Sequence, residues 1–177
     1  MSSITISSLE RITAAKLAET LLAASAASAE SATGTGVATA SATEAETEKV
    51  RKEGDSGSGL GSIAVVDVRD GDHVGGHIRS SLHFPSASLD ATMPTLVRKL
   101  ADKDTVVFHC ALSQQRGPGA ALKYLREREA AAAGNGEGAK KEQKVFVLDR
   151  GFVGWQEVFG SDERLTEGYR KELWEDY

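Results

Sequence analysis

Between Val106-Val107-Phe108, an apolar run that reads as a buried strand, and Gly119-Ala120-Ala121-Leu122-Lys123-Tyr124-Leu125, which opens a helical pattern, lies a loop with chemistry in it. It starts at Cys110, the single cysteine of the chain, and closes at Arg116. Amides at a helix start lack partners, and the helix dipole adds positive charge there, so a loop in this position tends to hold an anion. The same field favours a thiolate, which makes Cys110 a candidate nucleophile. Arg116 can grip two oxygens of a tetrahedral oxyanion with its planar fork, while the amides of Ala111, Leu112, Ser113, Gln114, Gln115 and Arg116 form a nest for the rest. Ser113 is expected to donate its hydroxyl to the thiolate, and Gly117 is counted with residues 111–115 as substrate-binding. Losing one preorganised donor of this kind costs about 3–4 kcal/mol of transition-state stabilisation. Against this stands the plain reading of Cys110 as a small buried hydrophobe, which is what most lone cysteines are.

The elements needed to position such a loop are legible on either side of it. Leu9 to Thr13 leads into Ala14 to Leu22, where Leu17 and Leu21 share a helical face and Thr13 is placed to cap it. Then come a strand over 63–68, a loop through Gly75-Gly76, a short strand near Leu82-His83-Phe84 and a helix over 92–100. The central strand over 105–109, the helix after Arg116 and a strand over 144–148 complete a β/α alternation. That alternation predicts an α/β fold with a mainly parallel central sheet and helices on both faces. Ligands bind such sheets at the carboxyl ends of strands, where Cys110 falls. Phe152, Trp155 and Phe159 recur at helical spacing and read as core. The charged segment 163–177 reads as helical and either solvated or draped over the domain.

Three ordered blocks carry a resemblance. His109-Cys110-Ala111-Leu112-Ser113-Gln114-Gln115-Arg116-Gly117-Pro118 resembles the active-site loop of the rhodanese-fold phosphatases, the family of the M-phase inducer phosphatase, and especially its small single-domain members, which include eukaryotic arsenate reductases. Val65 to Asp70 followed by Gly76 to Ser81 resembles the Asp-x-Arg and Gly-His-Ile blocks of the rhodanese superfamily. Arg150-Gly151-Phe152-Val153-Gly154-Trp155 resembles its closing Gly-x-x-Gly-Trp block. Together the blocks cover roughly residues 60–160 and imply a rhodanese-like domain. Sulfurtransferases of the superfamily usually have a loop one residue shorter, whereas the longer Cys-x5-Arg loop is similar to the branch that binds phosphate or arsenate. Gln114 and Gln115 stand where the cell-cycle phosphatases carry acidic residues, so a loop carboxylate is missing as general acid.

The resemblance implies a cysteine-dependent phosphatase that hydrolyses phosphomonoesters, protein phosphotyrosine among them, through a phosphocysteine intermediate and without a cofactor. A second implied activity is arsenate reduction through the same loop. With no second cysteine to resolve the adduct, its electrons would come from glutathione and a glutaredoxin partner. A non-catalytic module that binds phosphorylated ligands is a third reading, and thiosulfate sulfur transfer ranks below it on loop length. Asp67 and Arg69 end a strand at the same cleft by analogy, and a buried ion pair or loop brace is favoured over a catalytic role for them. Asp149 and Arg150 follow the last strand and are further accessory candidates. His109 neighbours Cys110, but successive strand residues face opposite ways, so it is read as held inside by hydrogen bonds. His73, His77 and His83 lack metal-site spacing, and no metal is assigned.

At 177 residues, 40% of them hydrophobic, the chain is sized for one domain that buries a core. Stretches of Ala, Ser, Thr, Gly and Glu at about 23–61 and 130–141 hold little to bury and are expected to be mobile insertions. A net charge of −5 argues against nucleic acid as partner. No apolar run approaches the roughly 20 residues of a membrane span. Glu10 and Glu19 count against a transit peptide. The lone cysteine suits a reducing compartment, the cytoplasm and with it the nucleus.

Overall fold

The computed structural model describes residues 4–31, 61–134 and 141–175. The β-branched run at 63–67 and its neighbour at 105–109 are apolar without alternation, as strands covered on both faces must be. They form β2 (Ile63–Asp67) and β5 (Thr105–His109) at the middle of a five-stranded sheet. Around them lie β1 (Glu10–Ile12), α1 (Ala14–Ser31), β3 (His77–Ile78), β4 (Leu82–His83), α2 (Leu89–Lys99), α3 (Arg116–Gly134), β6 (Lys144–Leu148), α4 (Gly151–Phe159) and β7 (Thr166–Glu167). The sheet order is β1-β6-β5-β2-β4 and every pairing in it is parallel. β3 and β7 form a separate antiparallel pair.

Helices cover both faces, as expected. On one side Leu89, Met93 and Leu96 of α2 and Ala120, Ala121 and Tyr124 of α3 pack with Val66, Val106 and Phe108. On the other, Leu17, Ala18 and Leu21 of α1 and Phe152 and Trp155 of α4 pack with Val65, Val107 and Leu148. Thr13 caps α1 by accepting the Lys16 N–H at 3.2 Å on its hydroxyl oxygen.

Some boundaries depart from expectation. α2 starts at Leu89, a turn earlier than the 92–100 window, because Leu89 itself is a core residue. α1 runs to Ser31 and α3 to Gly134, so both helices extend into the low-complexity stretches expected to be mobile. Alanine has the best helix propensity, and here it prolongs helices with few large side chains to bury. The rest of those stretches, 32–60 and 135–140, lies outside the described residues. The described part of the tail, 163–175, is not one helix: it supplies β7 and a 3₁₀ turn at Lys171–Leu173. It does drape over the domain, with Trp174 against Phe152 at 5.3 Å between rings and its indole N–H donating to the Gly75 carbonyl at 2.9 Å.

Candidate active site

In the β2–β5 register Asp67 lies beside His109, so Cys110 is the first residue beyond the carboxyl end of the central pair. The loop that follows is shaped from below by α4. The Phe152 N–H donates to the Cys110 carbonyl at 3.0 Å and the Val153 N–H to the Ala111 carbonyl at 2.9 Å. These are first-turn amides of a helix, which otherwise lack partners. Gly151 makes the approach work: its φ is +55°, and a Cβ there would sit 2.5 Å from both carbonyl oxygens. With its carbonyls turned toward α4, the loop leaves amides free. Among the described residues, the N–H groups of Leu112, Gln114, Gln115 and Arg116 have no protein acceptor. Free amides are what an anion nest over this loop requires.

Ser113 is the pivot. Its φ of +53° lies in the left-handed region, and its N–H donates to the Cys110 sulfur at 3.2 Å. The amide thus makes the contact expected of the hydroxyl; the hydroxyl oxygen is buried with no hydrogen-bond partner. The Ser113 carbonyl accepts from Arg11 Nη2 at 3.2 Å, and Arg11 also pairs with Asp149 at 3.5 Å. Arg11 lies 102 positions away in the chain, and nothing in the sequence signalled its link to the loop.

A cavity of about 350 Å³ opens over this loop, lined by Cys110, Ala111, Leu112, Gln114, Gln115 and Arg116. The thiol forms part of a floor that is nearly closed to solvent, and Leu112 is 44% exposed. Ser113 and Gly117 do not line the cavity. Gly117 packs beneath the loop, where a Cβ would meet the Ser113 hydroxyl at 3.3 Å and the Cys110 nitrogen at 3.4 Å.

Arg116 is held by two carboxylates that sequence reasoning passed over. Its Nη1 donates to Asp72 at 2.7 Å and to Asp70 at 3.0 Å, and its Nη2 donates to the second Asp72 oxygen at 2.5 Å. The Arg116 hydrogen bonds hold the Asp72 carboxyl at about 2, against the opposing effect of burial, and raise the Arg116 pKa in turn. Asp70 is lowered as well, first by the Ser86 hydroxyl and the Ala87 N–H. The signal in the sequence is the Asp70-Gly71-Asp72 spacing directly after the Asp-x-Arg block.

Asp67 and Arg69 of that block are fully buried and lie outside the cavity lining. Arg69 meets both Asp67 oxygens through Nε and Nη2 at 2.6–3.0 Å, donates to the Gly76 carbonyl at 2.8 Å and lies 4.2 Å over the Phe152 ring. This is the loop brace favoured by the plainer reading. Burial pushes the Asp67 carboxyl up, but His109 and Arg69 outweigh it and hold it at about 2. His109 is buried, its Nδ1 3.2 Å from the Cys110 carbonyl and its Nε2 without a hydrogen-bond partner; burial lowers its pKa. His73 stacks on His83 at 3.8 Å, and burial lowers it to about 4. His77 bonds Glu167 at 3.1 Å across the β3–β7 pair, a structural role. Asp149 pairs with Arg11, and Arg150 pairs with Glu157 at 2.8 Å on the surface; neither lines the cavity. Among the described residues no group of three or more His, Cys, Asp or Glu side chains is placed to hold a metal ion, and no helix is long and apolar enough to cross a membrane.

Comparison with known proteins agrees with this geometry. The rhodanese-like domain family matches residues 47–158. A CDC25-like phosphatase of Saccharomyces cerevisiae is 38% identical over 120 residues, 62% of this chain and 76% of the relative. An arsenate reductase of Oryza sativa subsp. japonica is 45% identical over 98 residues, 53% of this chain and 56% of the relative, so the chain spans just over half of that protein. Among solved structures, a yeast protein tyrosine phosphatase of the rhodanese family superposes with a TM-score of 0.65 at 28% identity, over 97% of this chain and 99% of that one.

Proposed function

The chain belongs to the rhodanese-like domain family, and from that membership and the geometry of the Cys110 loop we propose that it is a cysteine-dependent phosphatase acting on phosphomonoesters. One observation carries the reading. Cys110 lines an open cavity, its sulfur receives the Ser113 N–H, and unpartnered loop amides and Arg116 belong to the same loop.

The steps follow from that arrangement. The Cys110 thiolate attacks phosphorus, the bond to the ester oxygen breaks, and a phosphocysteine forms. Water then attacks phosphorus, the S–P bond breaks and inorganic phosphate leaves with the thiolate restored. Loop amides and Arg116 hold the equatorial oxygens as charge develops on them. No carboxylate lies in the loop itself, and a substrate that reacts as its monoanion brings the proton that the leaving oxygen takes. Leu112, a partly exposed lining residue, offers an apolar side chain for an aryl leaving group to pack against.

The reading treats the chain as one domain carrying low-complexity insertions, working in a reducing compartment, the cytoplasm and the nucleus. It is tested by hydrolysis of a small aryl phosphate beside Cys110→Ser and Arg116→Lys. Both variants are expected to lose at least about 100-fold in kcat, since an ammonium cannot make the fork contact. Full activity in Arg116→Lys would sink the idea.

A second reading rests on the similarity to a protein named an arsenate reductase. Arsenate matches phosphate in charge and shape, and Cys110 would attack arsenic in the same cavity. The two electrons that reduce arsenate to arsenite would come from two external thiols, glutathione and a glutaredoxin, which leave as a disulfide with release of water. Arsenite formation with both thiols omitted would contradict it.

A further inference from the structure

Arg116 is not waiting free in its cavity. A guanidinium has five N–H donors: two on each terminal nitrogen and one on Nε. Asp72 meets both terminal nitrogens end-on, one carboxylate oxygen to each, and Asp70 takes the second hydrogen of Nη1. Three donors are thereby occupied. The two left over, Nε–H and the outer hydrogen of Nη2, lie along one edge of the plane and form a complete fork. Among the described residues Nε has no partner.

We propose that Asp72 is a positioning residue for Arg116: by seizing the Nη1/Nη2 end of the guanidinium it fixes the plane and presents the Nε/Nη2 edge to the oxyanion above Cys110. The inference rests on the anion-binding part of the phosphatase reading. Asp72 is built to act this way because its own place is fixed. Its Oδ1 accepts the Asp70 N–H at 2.9 Å, and the turn closes with the His73 N–H on the Asp70 carbonyl at 3.1 Å. Asp70 is tied in turn to the Ser86 hydroxyl at 2.6 Å and the Ala87 N–H at 2.9 Å. A flexible four-bond side chain is therefore held from a rigid turn on the neighbouring strand, which removes the rotamer freedom Arg116 would otherwise lose on binding an anion. Arg116 lines the cavity and Asp72 does not.

Alkylation of Cys110 tests this without turnover, and as the sole cysteine it gives a clean mass readout. Iodoacetate carries a carboxylate that Arg116 attracts; iodoacetamide is its neutral counterpart. The ratio of their rates is expected to favour iodoacetate in the native protein and to fall about tenfold in Arg116→Ala, the loss of one charge-assisted contact. Asp72→Asn should lose most of the preference, and adding it to Arg116→Ala should change nothing further. If Asp72→Asn does not fold, Asp72→Glu takes its place, with an expected ratio between native and Arg116→Ala. A ratio in the Asp72 variant at or above the native value overturns the proposal, since the carboxylate then competes with the anion. An equal fall in the native and Arg116→Ala backgrounds overturns it too, since Asp72 then acts elsewhere. A native protein that releases no phosphate would end the phosphatase reading while the alkylation ratio still decides the role of Asp72.

Discussion

The backbone N–H of Ser113 donates to the sulfur of Cys110 across 3.2 Å, and the Ser113 side chain, buried beside it, donates to nothing. The contact with the nucleophile is therefore made by a group no substitution at 113 short of proline can remove. Ser113→Ala is expected to leave stability unchanged or raise it by up to about 1 kcal/mol, because it deletes an unsatisfied buried hydroxyl. Its kcat on an aryl phosphate should stay within about tenfold of the native value. A fall of 100-fold or more would show that the hydroxyl turns to the thiolate during turnover, since that is the cost of a lost donor in the reacting complex.

Gly151 couples α4 to the loop. At φ +55°, with the space for a Cβ filled by the Cys110 and Ala111 carbonyls 2.5 Å away, it admits no side chain without moving one or the other. Gly151→Ala should cost about 2–4 kcal/mol, the sum of left-handed backbone strain and a displaced pair of hydrogen bonds. Activity should fall further than the loss of folded protein accounts for. Thermal melting beside phosphate release on the folded fraction separates the two effects; a variant with native melting and native kcat contradicts the coupling.

How far the sequence carried can be seen at particular residues. The strands at 63–67 and 105–109 were legible because parallel strands covered on both faces need continuous β-branched runs. Cys110 and Arg116 line one cavity, and that they share one loop between strand and helix was legible from their spacing. Asp72 was not, since an acidic residue in a polar turn looks like any solvated loop residue until the arginine across from it is placed. Arg11 was beyond reach, its link to Ser113 being a product of β1 adding to the sheet edge beside β6. The charges of the tail suggest a helix, while over 163–175 Trp174 and the β7 pairing decide its path.

Asp67 and Arg69 are a fully buried pair, and breaking it from one side strands a charge. Arg69→Met is expected to cost about 3–5 kcal/mol, visible as a drop in Tm on the order of 10 °C. Replacing both, as Asp67→Val with Arg69→Met, should cost less than Arg69→Met alone, because no ion is then left without its partner. Asp67 also has a pH signature. Its folded pKa of about 2 lies below the ordinary 3.8, so its contribution is complete above about pH 4 and is lost as pH falls toward 2. It amounts to about 2 kcal/mol. Denaturant titrations at pH 2 and pH 4 on native protein and the double variant check it, and equal slopes in the two would refute it.

His73 titrates in a higher window. Burial lowers it to about 4 from the ordinary 6.5, with Asp67 opposing and Arg69, His83 and His77 adding to the shift. Between those values the unfolded chain binds a proton that the folded chain refuses, so stability is complete above about pH 6.5 and falls as pH drops toward 4. His109, buried and lowered in the same direction, adds to the slope. His73→Phe keeps a ring against His83, 3.8 Å away, and removes the titrating group. Its stability should therefore depend less on pH in this window, by on the order of 1–3 kcal/mol between pH 6.5 and 4, with His109 and the lowered carboxyls leaving a smaller slope. Chemical denaturation at half-unit steps through the window measures both slopes; if the variant falls as steeply as the native protein, His73 is not held neutral in the fold.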